Sequence, residues 1–136
     1  WTAVKHPRWT FYQMTSVVAL PKIYEQTGPW DMFLHDSDHD VECVSLEYSL
    51  AWEWLKPGGY LVSDDIGWGS PPHLAWEKLV AKHNVTYIKL GYAGVIQKPR
   101  TATMPTLANL NQTVDTALSF AHSEALAYGV QPKYFR

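Results

Sequence analysis

At 136 residues, 46% of them hydrophobic, the chain has the size of one small domain with enough apolar material for a core. A formal net charge of −2 and the lack of any Lys/Arg run remove the electrostatic reason to expect nucleic acid or an anionic membrane, and leave small-molecule chemistry as the better fit. The single cysteine, Cys43, excludes an internal disulfide framework, and no stretch is long enough to span a bilayer; the expected compartment is the cytoplasm, with two Asn-x-Thr sequons at Asn84 and Asn111 weighted lightly.

In chain order, Trp9 to Met14 is rich in aromatic and β-branched residues and predicts a strand. Ser16 to Thr27 reads as a short helix capped by Ser16 and stopped by Gly28. Asp31 to His35 is a second strand, apolar in the middle as expected when both faces are covered. Val41 to Leu55 is the clearest helix, with Val44, Tyr48 and Leu55 near one face and Glu42, Glu47 and Glu53 pointing outward. Lys56-Pro57-Gly58-Gly59 ends it, because proline and glycine cannot continue a helix, and Tyr60 to Ser63 forms the third strand.

Pro71 and Pro72 open a helix over His73 to His83, in which Leu74, Leu79 and Val80 supply the apolar stripe. Val85 to Leu90 and Gly94 to Gln97 read as two strands, antiparallel because Gly91-Tyr92-Ala93 is too short for a crossover. Residues 101 to 108 form a loop, and Asn109 to Tyr128 a helix carrying Leu110, Val114, Leu118 and Ala121, which docks on the domain or on a second subunit. This alternation is an α/β pattern: a partial, doubly wound Rossmann-like sheet over residues 1 to 100 with a terminal antiparallel pair, followed by a loop and helical extension over 101 to 136.

Two apolar runs end in acid. Asp31 to His35 leads into Asp36-Ser37-Asp38-His39-Asp40, and Tyr60 to Ser63 leads into Asp64-Asp65. If the runs are neighbouring parallel strands, these carboxylates meet at one edge of the sheet, where open α/β sheets bind ligands. Clustered like charges are costly without a compensating cation, and hard oxygen donors suit Mg²⁺. The plain alternative is that Asp38 or Asp40 caps the next helix while Asp64 and Asp65 lie in a solvated turn.

The stretch Phe33-Leu34-His35-Asp36-Ser37-Asp38-His39, followed by Leu55-Lys56-Pro57-Gly58-Gly59-Tyr60-Leu61-Val62-Ser63-Asp64-Asp65-Ile66, resembles the second half of class I S-adenosylmethionine-dependent methyltransferases. Within them it is most similar to the metal-dependent O-methyltransferases: catechol and caffeoyl-CoA types, macrolide-sugar types and the cephalosporin-hydroxylase-like group. The resemblance covers about residues 9 to 99 and implies Asp36, Asp64 and Asp65 as ligands of Mg²⁺, which in such enzymes holds the substrate's vicinal oxygens and acidifies the attacking hydroxyl. It implies His39 as general base, suited to that task by a near-neutral imidazole. It also implies Ser16 and Asp36 as contacts of the cofactor S-adenosylmethionine, although Val17 and Val18 depart from the polar residues that follow such a serine in relatives. His35 packs or orients the loop, and Trp68 is a candidate wall for an aromatic or sugar substrate.

Class I methyltransferases hold their cofactor chiefly through a glycine-rich loop after the first strand, and no G-x-G-x-G occurs here; Gly67-x-Gly69 follows the wrong strand. The first expected strand corresponds to the family's third, so two missing strands would leave the sheet with an open edge. With Trp1 as first residue, the chain reads as a piece of a larger enzyme; the alternatives are a half-domain completed by another copy and a degenerate relative that has lost its cofactor. The expected activity is Mg²⁺-dependent O-methylation of a small hydroxylated molecule such as a sugar or phenol. Competing with it are a non-catalytic module that self-associates through its sheet edge and last helix, and metal-assisted hydrolysis by the same carboxylates.

Overall fold

A computed structural model describes residues 6–67, 69–106, 109–129 and 131. Helix α1 spans Ser16–Thr27, strand β1 Trp30–His35, helix α2 Val41–Trp54, strand β2 Leu55–Ser63, helix α3 Pro71–His83, strand β3 Tyr87–Leu90, strand β4 Ala93–Gln97 and helix α4 Leu110–Ala127. The strands form one sheet in the order β1-β2-β4-β3. The first pair is parallel, and β4 runs antiparallel to both β2 and β3. This is the α/β class the alternation predicts, a mixed sheet consistent with part of a Rossmann-like methyltransferase fold.

Helix α2 organises the molecule. Its Val44, Tyr48, Ala51 and Trp52 pack with Leu61, Ile96, Ala75, Trp76 and Leu79 into a core between the sheet and α3. On its other side, Leu46, Leu50 and Trp54 meet Tyr24 of α1 and Ala117 and Ala121 of α4. The alanines at 117, 121 and 125 recur every four residues and are all buried, which lets α4 approach closely. The last helix therefore docks on its own domain. A helix covered on all sides has no outward face. Glu42 and Glu47, expected to point outward, are accordingly buried, while Glu53 is half-buried.

Three further expectations are corrected. Trp9 to Met14 is irregular, not a strand. Strand-like composition does not make a strand where no ladder hydrogen bonds form, and Trp9 and Phe11 are exposed. Lys56-Pro57-Gly58-Gly59 is not a turn between helix and strand but an irregularity inside β2: Trp30 of β1 pairs with Leu55, and Met32 already pairs with Tyr60. A Cβ at Gly59 would lie 3.0 Å from the Asp31 carbonyl oxygen, so only glycine lets β1 run this close to the excursion. Nor is β1 covered on both faces. Met32 is 61% and Leu34 58% exposed, and with Tyr60, Ile88 and Leu90 they make an apolar sheet face that no described helix covers.

Other boundaries are set locally. Asn84, in the left-handed conformation, ends α3, and Ser70 caps its start by accepting from the His73 amide. Helix α1 covers Ser16–Thr27 and stops at Gly28, its N-cap being Thr15 rather than Ser16. Lys98, unremarkable in sequence, is buried and donates to the carbonyls of Trp52 and Glu53 at 2.6 and 3.0 Å, closing the C-terminal end of α2. Trp68 and the Leu110 side chain lie outside the described residues.

Candidate functional site

Parallel pairing places the ends of β1 and β2 side by side. His35 is in register with Ser63, and the Asp64 amide donates to the His35 carbonyl at 3.0 Å, so the next residues, Asp36 and Asp64, leave the sheet as neighbours. One carboxylate oxygen from each of Asp36, Asp64 and Asp65 lies within 4.8 Å of the other two, and all three residues are exposed. The juxtaposition read from the two acidic strand ends is thus present.

Asp65 adopts φ +54°, a left-handed conformation unusual for a side-chain-bearing residue but better tolerated by aspartate than by most. Its amide donates to Asp64 Oδ1 at 2.9 Å, and its carbonyl accepts from Ser70 Oγ at 2.9 Å. The following residue, Ile66, is fully buried and donates its amide to the Tyr92 carbonyl at 2.8 Å. The acidic pair is therefore strung between a strand end and a core anchor. His39 Nε2 stands 3.5 Å from Asp65 Oδ2, which brings the expected base to the same edge. Asp40 does cap α2, accepting from the Cys43 amide at 2.8 Å, while Asp38 accepts from the Asp40 amide at 3.3 Å. The capping alternative holds for Asp40 and leaves Asp36, Asp64 and Asp65 together.

Behind this exposed rim lies a buried polar layer. Glu47 accepts from Ser37 Oγ at 2.8 and 3.0 Å, from Cys43 Sγ at 3.4 Å and from Ser16 Oγ. His35 Nε2 approaches Glu47 Oε2 at 3.4 Å without hydrogen-bond geometry, while its Nδ1 lies 3.3 Å from Ser63 Oγ. Ser63 is also hydrogen-bonded to the Tyr48 hydroxyl. Burial pushes the His35 imidazole below its ordinary range, with Glu47 opposing the shift. Burial likewise pushes the Tyr48 hydroxyl well up. His35 thus lies between Glu47 and Ser63, against the ends of both strands. The Ser16 hydroxyl is engaged by Glu47.

Sequence reasoning missed Glu47. The missed signal is positional: an acid in mid-helix flanked by Leu46 and Tyr48, where an outward face and a buried one look alike until the helix's neighbours are known. A hollow of about 300 Å³ lies elsewhere, lined by Glu53 of α2, Lys82 and His83 of α3, and Thr113 and Phe120 of α4. It flanks the last turns of α2, whereas the aspartates sit beyond its first. The chemistry-bearing groups converge at the strand ends, not there.

Three carboxylates offering one oxygen each are a hard donor set that suits Mg²⁺, Mn²⁺ or Ca²⁺, with positions left for water or substrate. Residues 2–66 match a protein-family model described as a methyltransferase domain. The matched span carries β1, α2, β2 and all three clustered aspartates. It supports a class I methyltransferase domain and with it methyl transfer, for which S-adenosylmethionine is the usual donor. Neither the curated proteins nor the solved structures contain a match. Among the described residues no helix is long and apolar enough to cross a membrane.

Proposed function

We propose that this chain carries the hydroxyl-activating part of a Mg²⁺- and S-adenosylmethionine-dependent O-methyltransferase acting on a small hydroxylated molecule such as a sugar or phenol. The observation that carries the reading is the meeting of Asp36, Asp64 and Asp65 at the ends of two parallel strands, inside the span that matches a methyltransferase domain. A divalent cation held by these oxygens supplies a positive charge that lowers the pKa of a nearby hydroxyl. His39, beside Asp65, is placed to take the proton released, and the Asp65 carboxylate steadies the imidazolium that results.

The donor fits this chain less well. No G-x-G-x-G is present, the Ser16 hydroxyl is taken by Glu47, and the Asp36 carboxylate is shared with the acidic cluster. The test is a panel of catechols and sugars incubated with labelled S-adenosylmethionine and Mg²⁺. Methyl transfer that chelator stops and that Asp36→Asn abolishes is the expected result. Product formed equally well in chelator would overturn the metal-dependent reading.

The apolar face of Met32, Leu34, Tyr60, Ile88 and Leu90, which no described helix covers, together with the edge of β1 that no described strand pairs, favours a second reading: a non-catalytic module that self-associates. Sedimentation separates the two. A stable oligomer that takes up neither Mg²⁺ nor S-adenosylmethionine supports the module, and a monomer that binds Mg²⁺ removes it.

A further inference from the structure

Helix α2, behind the aspartates, buries two carboxylates that the proposed chemistry does not use, Glu42 and Glu47, and Glu47 bonds the segment that carries Asp36. Glu47 is only 3% exposed and sits on the most enclosed helix of the molecule, where a leucine or methionine would avoid the cost of burying a polar or charged group. What it touches suggests why it is there. Ser37, which hydrogen-bonds both of its oxygens, lies between Asp36 and Asp38; His35, in contact with it at 3.4 Å, immediately precedes Asp36. The adjacent residue of α2, Tyr48, bonds Ser63, which immediately precedes Asp64. His35 joins the two halves through Ser63. Consecutive side chains of one helix therefore hold the ends of both strands that carry the clustered acids.

Such a brace has work to do. Three like charges within 4.8 Å push one another apart, and the segment from Asp36 to His39 lies in neither a helix nor a strand. We infer that Glu47 is a positioning residue: through Ser37 and His35 it fixes the distance of Asp36 from Asp64 and Asp65, and so sets the affinity of that edge for a divalent cation. The cation arm of this inference rests on the reading of the three aspartates as a metal site; the brace itself does not.

The experiment compares wild type, Ser37→Ala and Glu47→Gln by site-resolved amide hydrogen exchange and by titration with Mn²⁺ alone, followed by electron paramagnetic resonance. Ser37→Ala deletes one hydroxyl of an exposed residue and leaves the core untouched, so it serves as the decisive variant if Glu47→Gln fails to fold. Expected are exchange about tenfold faster over residues 36–41 and 64–66 with α2 and α4 unchanged, and Mn²⁺ affinity weaker by about tenfold or more, as loss of supporting contacts does at metal sites. Unchanged exchange over those segments in folded Ser37→Ala would overturn the inference, as would a uniform rise across the whole chain, the mark of a merely structural group. If the segments loosen selectively while wild type takes up no Mn²⁺, the brace stands and the cation site falls.

Discussion

Neutralising Asp64 should push stability in opposite directions with and without metal. Asp64 faces two other carboxylates with oxygens no more than 4.8 Å away. At that distance in water each pair repels by about 0.9 kcal/mol, and screening at physiological salt leaves roughly half. Removing both pairs is therefore worth about 1 kcal/mol. Asn is the right replacement because its amide oxygen can still accept the Asp65 amide hydrogen bond that Asp64 Oδ1 now accepts. In chelator, Asp64→Asn should unfold about 3–5 °C above wild type, and the gap should narrow as salt is raised. In Mg²⁺ at a hundred times its Kd, wild type gains about 2.7 kcal/mol while the variant loses a ligand and gains much less, so the order reverses. Thermal and urea unfolding with and without Mg²⁺ measure both arms. A variant less stable than wild type in chelator at low salt would show that the carboxylates do not repel one another, and equal stabilisation of both proteins by Mg²⁺ would show that Asp64 is no ligand.

Other predictions probe the base, the acid response and the core. His39→Gln should lower methyl transfer by about 10²–10⁴-fold while Mn²⁺ affinity changes little, because a general base acts on the rate and not on the metal; an unaltered rate dismisses His39 from the chemistry. Burial, reinforced by Lys82 and Lys98, pushes His83 down to about 4, below its unfolded value of about 6.5. A depressed pKa contributes stability that is full above the unfolded value and lost as pH falls through the folded one. Wild type should therefore lose more stability between pH 7 and 4 than His83→Gln does in urea titrations; parallel curves would contradict this. At Gly94 a Cβ would stand 2.6 Å from Ile66 Cδ1 and 2.7 Å from Trp76 Cζ2, both fully buried, so neither can retreat. Gly94→Ala should cost about 1–3 kcal/mol by overpacking and, by shifting Ile66, weaken Mn²⁺ binding at the neighbouring Asp65; a full-strength melt would mean that the core there is looser than it looks.

The amino-acid sequence determined by itself what short-range chemistry controls. Periodicity and boundary residues located all four helices and three of the four strands to within a residue or two, because Gly28, Pro57 and Pro71 act on their own turns of chain. The two acidic strand ends were legible for the same reason. Each is a local pattern, and parallel pairing of adjacent strands is enough to bring Asp36 beside Asp64 and Asp65. What the tertiary structure alone decided is everything that depends on a neighbour distant in sequence. Trp9 to Met14 has the composition of a strand yet pairs with none of the described strands, Lys56 to Gly59 turns within a strand because β1 runs alongside, and Lys98 finds its role only where α2 ends. Glu47 is the sharpest instance. Its burial follows from α1, α4 and the sheet surrounding α2 on every side, and no window of local sequence contains those contacts.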